Sequence, residues 1–222
     1  MNTPIRVALV DDQALFRAGL RLLISSQPDL ECVGEAANGA EGIQLVQSAR
    51  PDVILMDIRM PVMDGIEATT RIVDAARDDG RAGPRIIVLT TFDLDEAAAR
   101  AIRGGASGFV LKDADPEFLL AAIRTVHAGS SVIAAGQIIE LFEHFDSQRM
   151  SSDPPAAFTL LTAREQEIFA LAARGLSNAE IATAEFLSEA TVKTHISRTL
   201  GKLQLRDRVQ LVVYAYENNL IG

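Results

Sequence analysis

The sequence predicts an α/β domain built on a parallel five-stranded sheet, followed by a smaller all-helical domain. Three observations carry this expectation. Short strand-like runs alternate with longer amphipathic ones over the first 128 residues, and the alternation then stops. From Leu160 onward the apolar spacing is helical, with helix-start signals before each stretch. Five strand–helix units in series imply parallel pairing with helices on both faces, because right-handed crossovers return each helix onto the sheet.

Strands are expected at 5–10, 31–36, 53–56, 85–90 and 107–111, and helices near 13–26, 39–49, 64–78, 93–104 and 115–128. In the first helix Phe16, Leu20, Leu23 and Ile24 fall at i, i+4, i+7 and i+8, one apolar stripe. Asp115-Pro116-Glu117 opens the last with a cap, an N1 proline and an acid in the first turn. These elements make up a first domain of residues 1–128. Residues 129–158 read as a linker: a helix is expected near 134–145, then "DSQRMSSDPPAAF" breaks regular structure. A second domain covers 159–222. There Thr162-x-x-Glu165 and Ser177-x-x-Glu180 are capping-box patterns, Ser188 caps a third helix, and a fourth covers about 206–218.

Composition narrows the function classes. Of 222 residues 48% are hydrophobic, enough for a sizeable core, and the lone Cys32 rules out an intrachain disulfide, which fits a reducing cytoplasm. "MNTPIRVALVDD" is no leader, and no apolar run nears the eighteen or so residues that span a bilayer, so the expectation is a soluble cytoplasmic protein with no membrane partner. Charge is uneven. Residues 1–150 carry 22 acids against 14 bases, whereas 193–208 holds Lys193, Arg198, Lys202, Arg206 and Arg208 against Asp207 alone. Such asymmetry suggests two modules with different partners.

In an open α/β sheet the loops at the carboxyl ends of the strands build the site. Strand one ends in Asp11-Asp12, strand three in Asp57, strand four in Thr90, and Lys112 follows strand five. Three carboxylates in one crevice repel each other unless a cation sits among them, and Mg²⁺ suits an all-oxygen site that keeps some water. One carboxylate can then serve as nucleophile toward a phosphoryl donor, with the metal and the Lys112 ammonium stabilising charge on the transferring oxygens and the Thr90 hydroxyl bonding the new group. Pro61 shapes the loop after Asp57, and Gly65 lets the chain turn near it.

The segments "VDD", "LMDIRMPVMDG", "VLTTFD" and "GASGFVLKD", in this order across residues 5–128, resemble the receiver domain of bacterial two-component response regulators. The resemblance implies a flavodoxin-like (βα)5 fold with Asp57 as phosphoacceptor for a sensor histidine kinase. It implies Mg²⁺ held by Asp11, Asp12, Asp57 and the backbone carbonyl of Arg59, with Asp12 the more direct ligand. It further implies Lys112 as a phosphoryl contact and Thr90 with Phe109 as the switch pair. A haloacid dehalogenase-type phosphatase also uses a strand-end Asp with Mg²⁺, but it places a second Asp two residues on, where this chain has Arg59.

In the second domain "ARGLSNAEIA" reads as helix, glycine turn and capped helix, and "LSEATVKTHISRTLGKL" as a further helix: a helix-turn-helix. Val192, Ile196, Leu200 and Leu203 share one face; Thr194, Ser197, Arg198 and Gly201 lie opposite, flanked by Lys193 and Lys202. That small, basic outer face fits a major groove about 12 Å wide. Together with "LTAREQEIFALAARGLSNAEIA" the segment is similar to the LuxR-type four-helix DNA-binding domain of NarL/FixJ regulators. The similarity implies Lys193, Thr194 and Ser197 near base edges of double-stranded promoter DNA, and more loosely Arg198, Lys202, Arg206 and Arg208 on phosphates. It implies a homodimer on phosphorylation, formed through the last helix at Val209, Val212, Val213 and Tyr216. His195 is expected to be packed, and His127 and His144 have no metal-ligand spacing. Family members usually place an apolar residue where this chain has Glu185, so this carboxylate must turn outward or find a partner, with Phe186 expected to fill the core in its place. The functional expectation is a phosphorylation-controlled transcriptional regulator that is not a turnover enzyme. The alternatives are a phosphate-independent receiver–helix-turn-helix factor and a receiver with a protein-interaction output domain.

Overall fold

A computed structural model describes residues 3–80, 83–91, 96–129, 138 and 155–220 of the chain. The expected helix near 134–145 lies outside the described residues, apart from Ile138. The chain divides into two compact units, Met1–Val132 and Ile133–Gly222.

In the first unit β1 (Ile5–Val10), β2 (Leu30–Ala36), β3 (Val53–Asp57), β4 (Arg85–Thr90) and β5 (Gly108–Leu111) form one parallel sheet in the order β2-β1-β3-β4-β5. Helices α1 (Ala14–Ser25), α2 (Gly39–Ala49), α3 (Gly65–Asp78), α4 (Glu96–Arg103) and α5 (Pro116–His127) follow the strands in turn. The two-residue repeat of the strands sorts the core into two layers. Val7, Leu9, Val53, Leu55, Ile87, Leu89 and Val110 pack with Leu20 and Ile24 of α1 and Leu119, Leu120 and Ile123 of α5. The alternate residues Ala8, Val10, Ile54, Met56, Ile86 and Val88 pack with Ile66, Ile72 and Val73 of α3 and Ala101 of α4, with part of α2 alongside. The strand order reverses between β1 and β3, and loops leaving those two carboxyl ends open a crevice there.

The expected strands all form to within a residue: β2 starts one earlier, β3 runs one further to include Asp57, and β5 starts one later. Caps fix the helix starts. Asn38 Oδ1 accepts from Glu41 N–H (3.0 Å), Asp64 Oδ1 from Glu67 N–H (2.7 Å), and Asp115 Oδ1 from Glu117 N–H (2.7 Å). One loop residue stands in tension with its backbone. Met63 N–H donates to the Pro61 carbonyl (2.7 Å), closing a three-residue turn around Val62, which is 87% exposed and has φ +68°. A β-branched residue is strained there and gains nothing from packing. Val62→Gly is therefore expected to stabilise this unit by about 1 kcal/mol, read as a higher urea midpoint at unchanged slope.

The second unit holds a short 3₁₀ turn (Phe158–Leu160) and then α6 (Ala163–Ala173), α7 (Asn178–Ala184), α8 (Glu189–Leu203) and α9 (Arg208–Glu217). Both expected capping boxes close, Thr162 with Glu165 and Ser177 with Glu180, and Ser188 caps α8 by accepting from Thr191 N–H (3.1 Å). Gly175, at φ +99°, provides the left-handed turn between α6 and α7. The core gathers Ile168, Phe169, Ala172, Ile181, Val192, Ile196, Leu203 and Leu211, with Phe158 and Tyr214 edge-on to Phe169.

Phe186 corrects an expectation: it fills nothing, standing 95% exposed. Its φ of +54° swings the side chain outward, while Leu187 N–H bonds the Ala182 carbonyl (2.9 Å) and brings Leu187 against the core instead. Glu185 turns away from the core and pairs with Arg164, whose guanidinium holds both the Glu185 carboxylate and its carbonyl (3.1 Å).

Candidate functional site

The crevice at the carboxyl ends of β1, β3, β4 and β5 collects the expected acids. Asp11 (1% exposed) ends the buried part of β1, Asp57 (5%) closes β3, Thr90 (5%) closes β4, and Asp12 is exposed. Lys112 follows β5, tied back by its N–H to the Thr90 carbonyl (2.7 Å). Its Nζ lies 2.7 Å from Asp11 Oδ2 and 2.9 Å from Asp57 Oδ2, and 5.0 Å over the Phe16 ring. A cleft of about 150 Å³ opens here, lined by Gln13, Asp57, Ile58, Arg59, Thr90, Thr91, Ala97 and Lys112. Gln13, Ile58, Thr91 and Ala97 are additions to the expected set; Ile58 and Thr91 adjoin expected residues, and the tertiary fold brings Gln13 and Ala97 to the rim.

The electrostatics describe a site short of positive charge. Burial pushes the Asp57 carboxyl above its usual range, and the charge of Asp11 adds to the rise. Hydrogen bonds from Lys112 and from the Arg59 backbone N–H pull it down and offset only part. Burial also acts to lower Lys112, but its bonds to Asp11 and Asp57 outweigh that and hold its pKa above the ordinary lysine value. One ammonium thus faces two buried carboxylates, with a third beside them. Asp11, Asp12 and Asp57 each offer an oxygen within 4.8 Å of the others, a donor set that suits a small hard cation. Phe109 on β5 packs partly buried against the layer of core shared with α3 and α4.

On α8 the buried face is Val192, Ile196, Thr199 and Leu203, with Leu200 partly buried; Lys193, Thr194, Ser197 and Arg198 are exposed together on the other side. Lys202 and Arg208 of the expected set are engaged inside the unit. Lys202 Nζ donates to Glu165 Oε2 (2.6 Å) and to the Leu160 carbonyl (3.2 Å). Arg208 donates to Asn178 Oδ1 (3.1 Å), to the Ala172 carbonyl (3.3 Å) and to the Leu176 carbonyl, binding the end of α6 to the start of α7. With the guanidinium spent on these acceptors, the arrangement favours a structural role over the expected contact to a DNA phosphate. His195 is half-buried. Val209, Val212 and Val213 are buried in the single chain (1%, 2% and 4% exposed), and Tyr216 is half-buried.

The Lys202 bond, with that from Thr162, holds the Glu165 carboxyl down to about 2 from an ordinary value of 4.5. A carboxylate depressed in the native state stabilises it above the unfolded value and stops doing so as pH falls through the native one. The melting midpoint of the helical unit is thus expected to fall as pH drops from 4.5 to about 2. In Glu165→Gln the midpoint starts lower at neutral pH and falls less across that window; circular-dichroism melts at stepped pH check this.

Fold and site define a two-module regulator: a doubly wound domain with an acid–lysine crevice, and a four-helix helix-turn-helix domain. Comparison with known proteins makes the class specific. The chain belongs to the response regulators, matching the family model "Response regulator receiver domain" over residues 7–124 and "Bacterial regulatory proteins, luxR family" over 159–215. It is similar to the transcriptional regulatory protein LiaR of Bacillus subtilis (strain 168), 40% identical over 98% of this chain and 100% of that one. The response regulator VraR of Staphylococcus aureus (strain Mu3 / ATCC 700698) is 37% identical over 98% and 99%. Among solved structures, the response regulator ChrA of a heme-sensing two-component system is 34% identical, covers 99% of this chain and 100% of its own, and superposes with a TM-score of 0.52. A LuxR-family two-component response regulator from Aurantimonas sp. SI85-9A1 is 36% identical over 62% of this chain and 97% of that one, with a TM-score of 0.55. The chain is therefore a NarL/FixJ-type transcriptional regulator with a receiver and a LuxR-type DNA-binding domain, and not a turnover enzyme. Among the described residues no helix is long and apolar enough to cross a membrane.

Proposed function

We propose that Asp57 accepts a phosphoryl group from a partner histidine kinase and that this controls dimerisation and binding to double-stranded promoter DNA. The observation that supports it most is the bridge of Lys112 between Asp11 and Asp57 at the mouth of the sheet. In the transfer, an Asp57 carboxylate oxygen forms a P–O bond as the donor's P–N bond breaks, and the departing imidazole takes up a proton. Asp11, Asp12, Asp57 and the Arg59 carbonyl hold Mg²⁺, which when bound neutralises charge on the transferring oxygens. Lys112 trades part of its pairing with Asp57 for a phosphoryl oxygen, and Thr90 donates its hydroxyl to another.

The phosphoryl group brings roughly −1.5 to −2 charges and three acceptors. Thr90 and Lys112 move toward it, Phe109 follows, and the α4–β5 face is remodelled; the phosphate biases an equilibrium that exists without it. The dimer forms through α9 at Val209, Val212, Val213 and Tyr216. The three valines are buried in the single chain, so pairing requires that they first be uncovered. On DNA, Lys193, Thr194 and Ser197 face base edges, with Arg198, Lys202 and Arg206 on phosphates, Lys202 exchanging its Glu165 bond for one.

The test is intact mass after incubation with Mg²⁺ and a small phosphodonor, wild type beside Asp57→Ala. One added phosphoryl group on wild type and none on the variant is the expected result. Uptake by the variant would place the acceptor elsewhere, and no uptake by a wild type that binds metal would favour a phosphate-independent regulator.

A further inference from the structure

Asp11 is held from several directions. Its N–H donates to the Ala36 carbonyl (3.1 Å), Oδ1 accepts from Gln13 N–H (2.8 Å), and Oδ2 lies 2.7 Å from Lys112 Nζ. Its carbonyl accepts from the Arg17 guanidinium. Asp12, the next residue, is exposed and has no hydrogen bond to its carboxylate among the described residues, although its oxygen shares the 4.8 Å cluster. The aim of that carboxylate therefore depends on the peptide it leaves from, and Arg17 grips that peptide. Arg17 is itself braced. Its side chain, 16% exposed, places Nε 3.3 Å from Glu35 Oε2, and the other Glu35 oxygen is 3.0 Å from Arg21 Nε. Glu35 stands on β2 beside Leu9 of β1, so α1, β2 and the end of β1 are joined in one strut.

A guanidinium beside a cation site works against metal binding by charge alone. Its use here must be geometric. We propose that Arg17, braced by Glu35, is a positioning residue for the divalent cation, holding the Asp11–Asp12 peptide so that the Asp12 carboxylate is in place before metal arrives. The proposal rests on the reading of the acid cluster as a Mg²⁺ site.

Calorimetric titration of the full chain with Mg²⁺ tests it, comparing wild type, Arg17→Met and Arg17→Lys, each with a metal-free melt. Loss of a partner that orients a metal ligand lowers affinity by roughly tenfold or more, and that is the fall expected for Arg17→Met. Phosphoryl uptake at saturating Mg²⁺ should return close to wild type. Removing a positive charge would by itself tighten binding, so the sign separates positioning from electrostatics. Arg17→Lys keeps the charge but cannot serve the carbonyl and Glu35 together; a fall smaller than that of Arg17→Met supports the strut and guards against poor folding of the methionine variant. Unchanged or tighter binding in both variants overturns the strut. A wild type that takes no Mg²⁺ overturns the reading beneath it, and the strut with it.

Discussion

Gly65→Ala is expected to lower the stability of the α/β unit by about 3 kcal/mol and to abolish phosphoryl uptake at Asp57. A Cβ on residue 65 would stand 1.9 Å from the Asp57 carbonyl oxygen, 2.9 Å from its carbonyl carbon and 3.0 Å from Met56 Cγ. The first two are backbone atoms of β3, whose five residues are all buried, so the strand has nowhere to retreat. Nor can residue 65 move away easily. Its N–H bonds the Ile58 carbonyl (2.9 Å), and it opens α3 directly after the Asp64 cap. The requirement is for space rather than for a left-handed φ, and it falls on the peptide that carries the phosphoacceptor. Urea unfolding and intact mass after phosphodonor treatment check both parts. A variant that unfolds at the wild-type midpoint and still gains the phosphoryl group would show that the loop yields at no cost.

The legible parts of the fold were those set by local pattern. Alternating residues such as Val7/Ala8 and Leu9/Val10 divide cleanly between the two core layers, and each capping box noted in the chain closes as spelled. The acids and Lys112 were legible as a site because topology alone sends strand ends to one edge. What stayed hidden depends on distance across the chain. Nothing local marks Arg17 as a grip on the Asp11 carbonyl, or Gln13 and Ala97 as walls of the cleft. Phe186 misled because an aromatic residue beside a misplaced acid invites a packing role, whereas its positive φ sends it outward and gives the place to Leu187. Charge counts alone likewise do not separate a cation offered to DNA from one spent on helix ends.

Arg208 and Arg198 put that last distinction to the test. Arg208→Met leaves the Leu176 carbonyl and Asn178 Oδ1 without this donor and takes one from the Ala172 carbonyl, which keeps the Gly175 N–H. Burial presses the Arg208 pKa downward and the nearby Glu180 charge offsets part of that, while the acceptors around it satisfy its N–H groups. Leaving part-buried acceptors unmet costs about 1–3 kcal/mol, and the joint between α6 and α7 loosens with them. For a unit of this size the melting point is expected to drop by roughly 4 to 24 °C. DNA affinity should then fall only as far as the folded fraction does. Arg198→Ala, on the exposed face of α8, should do the reverse: an unchanged melt, weaker DNA binding across all sequences, and a salt slope shallower by about one unit. If Arg208→Met instead kept its melting point and lost affinity with a shallower salt slope, the guanidinium would belong to a phosphate. The hydrogen bonds to Ala172, Leu176 and Asn178 would then be a resting arrangement that DNA displaces.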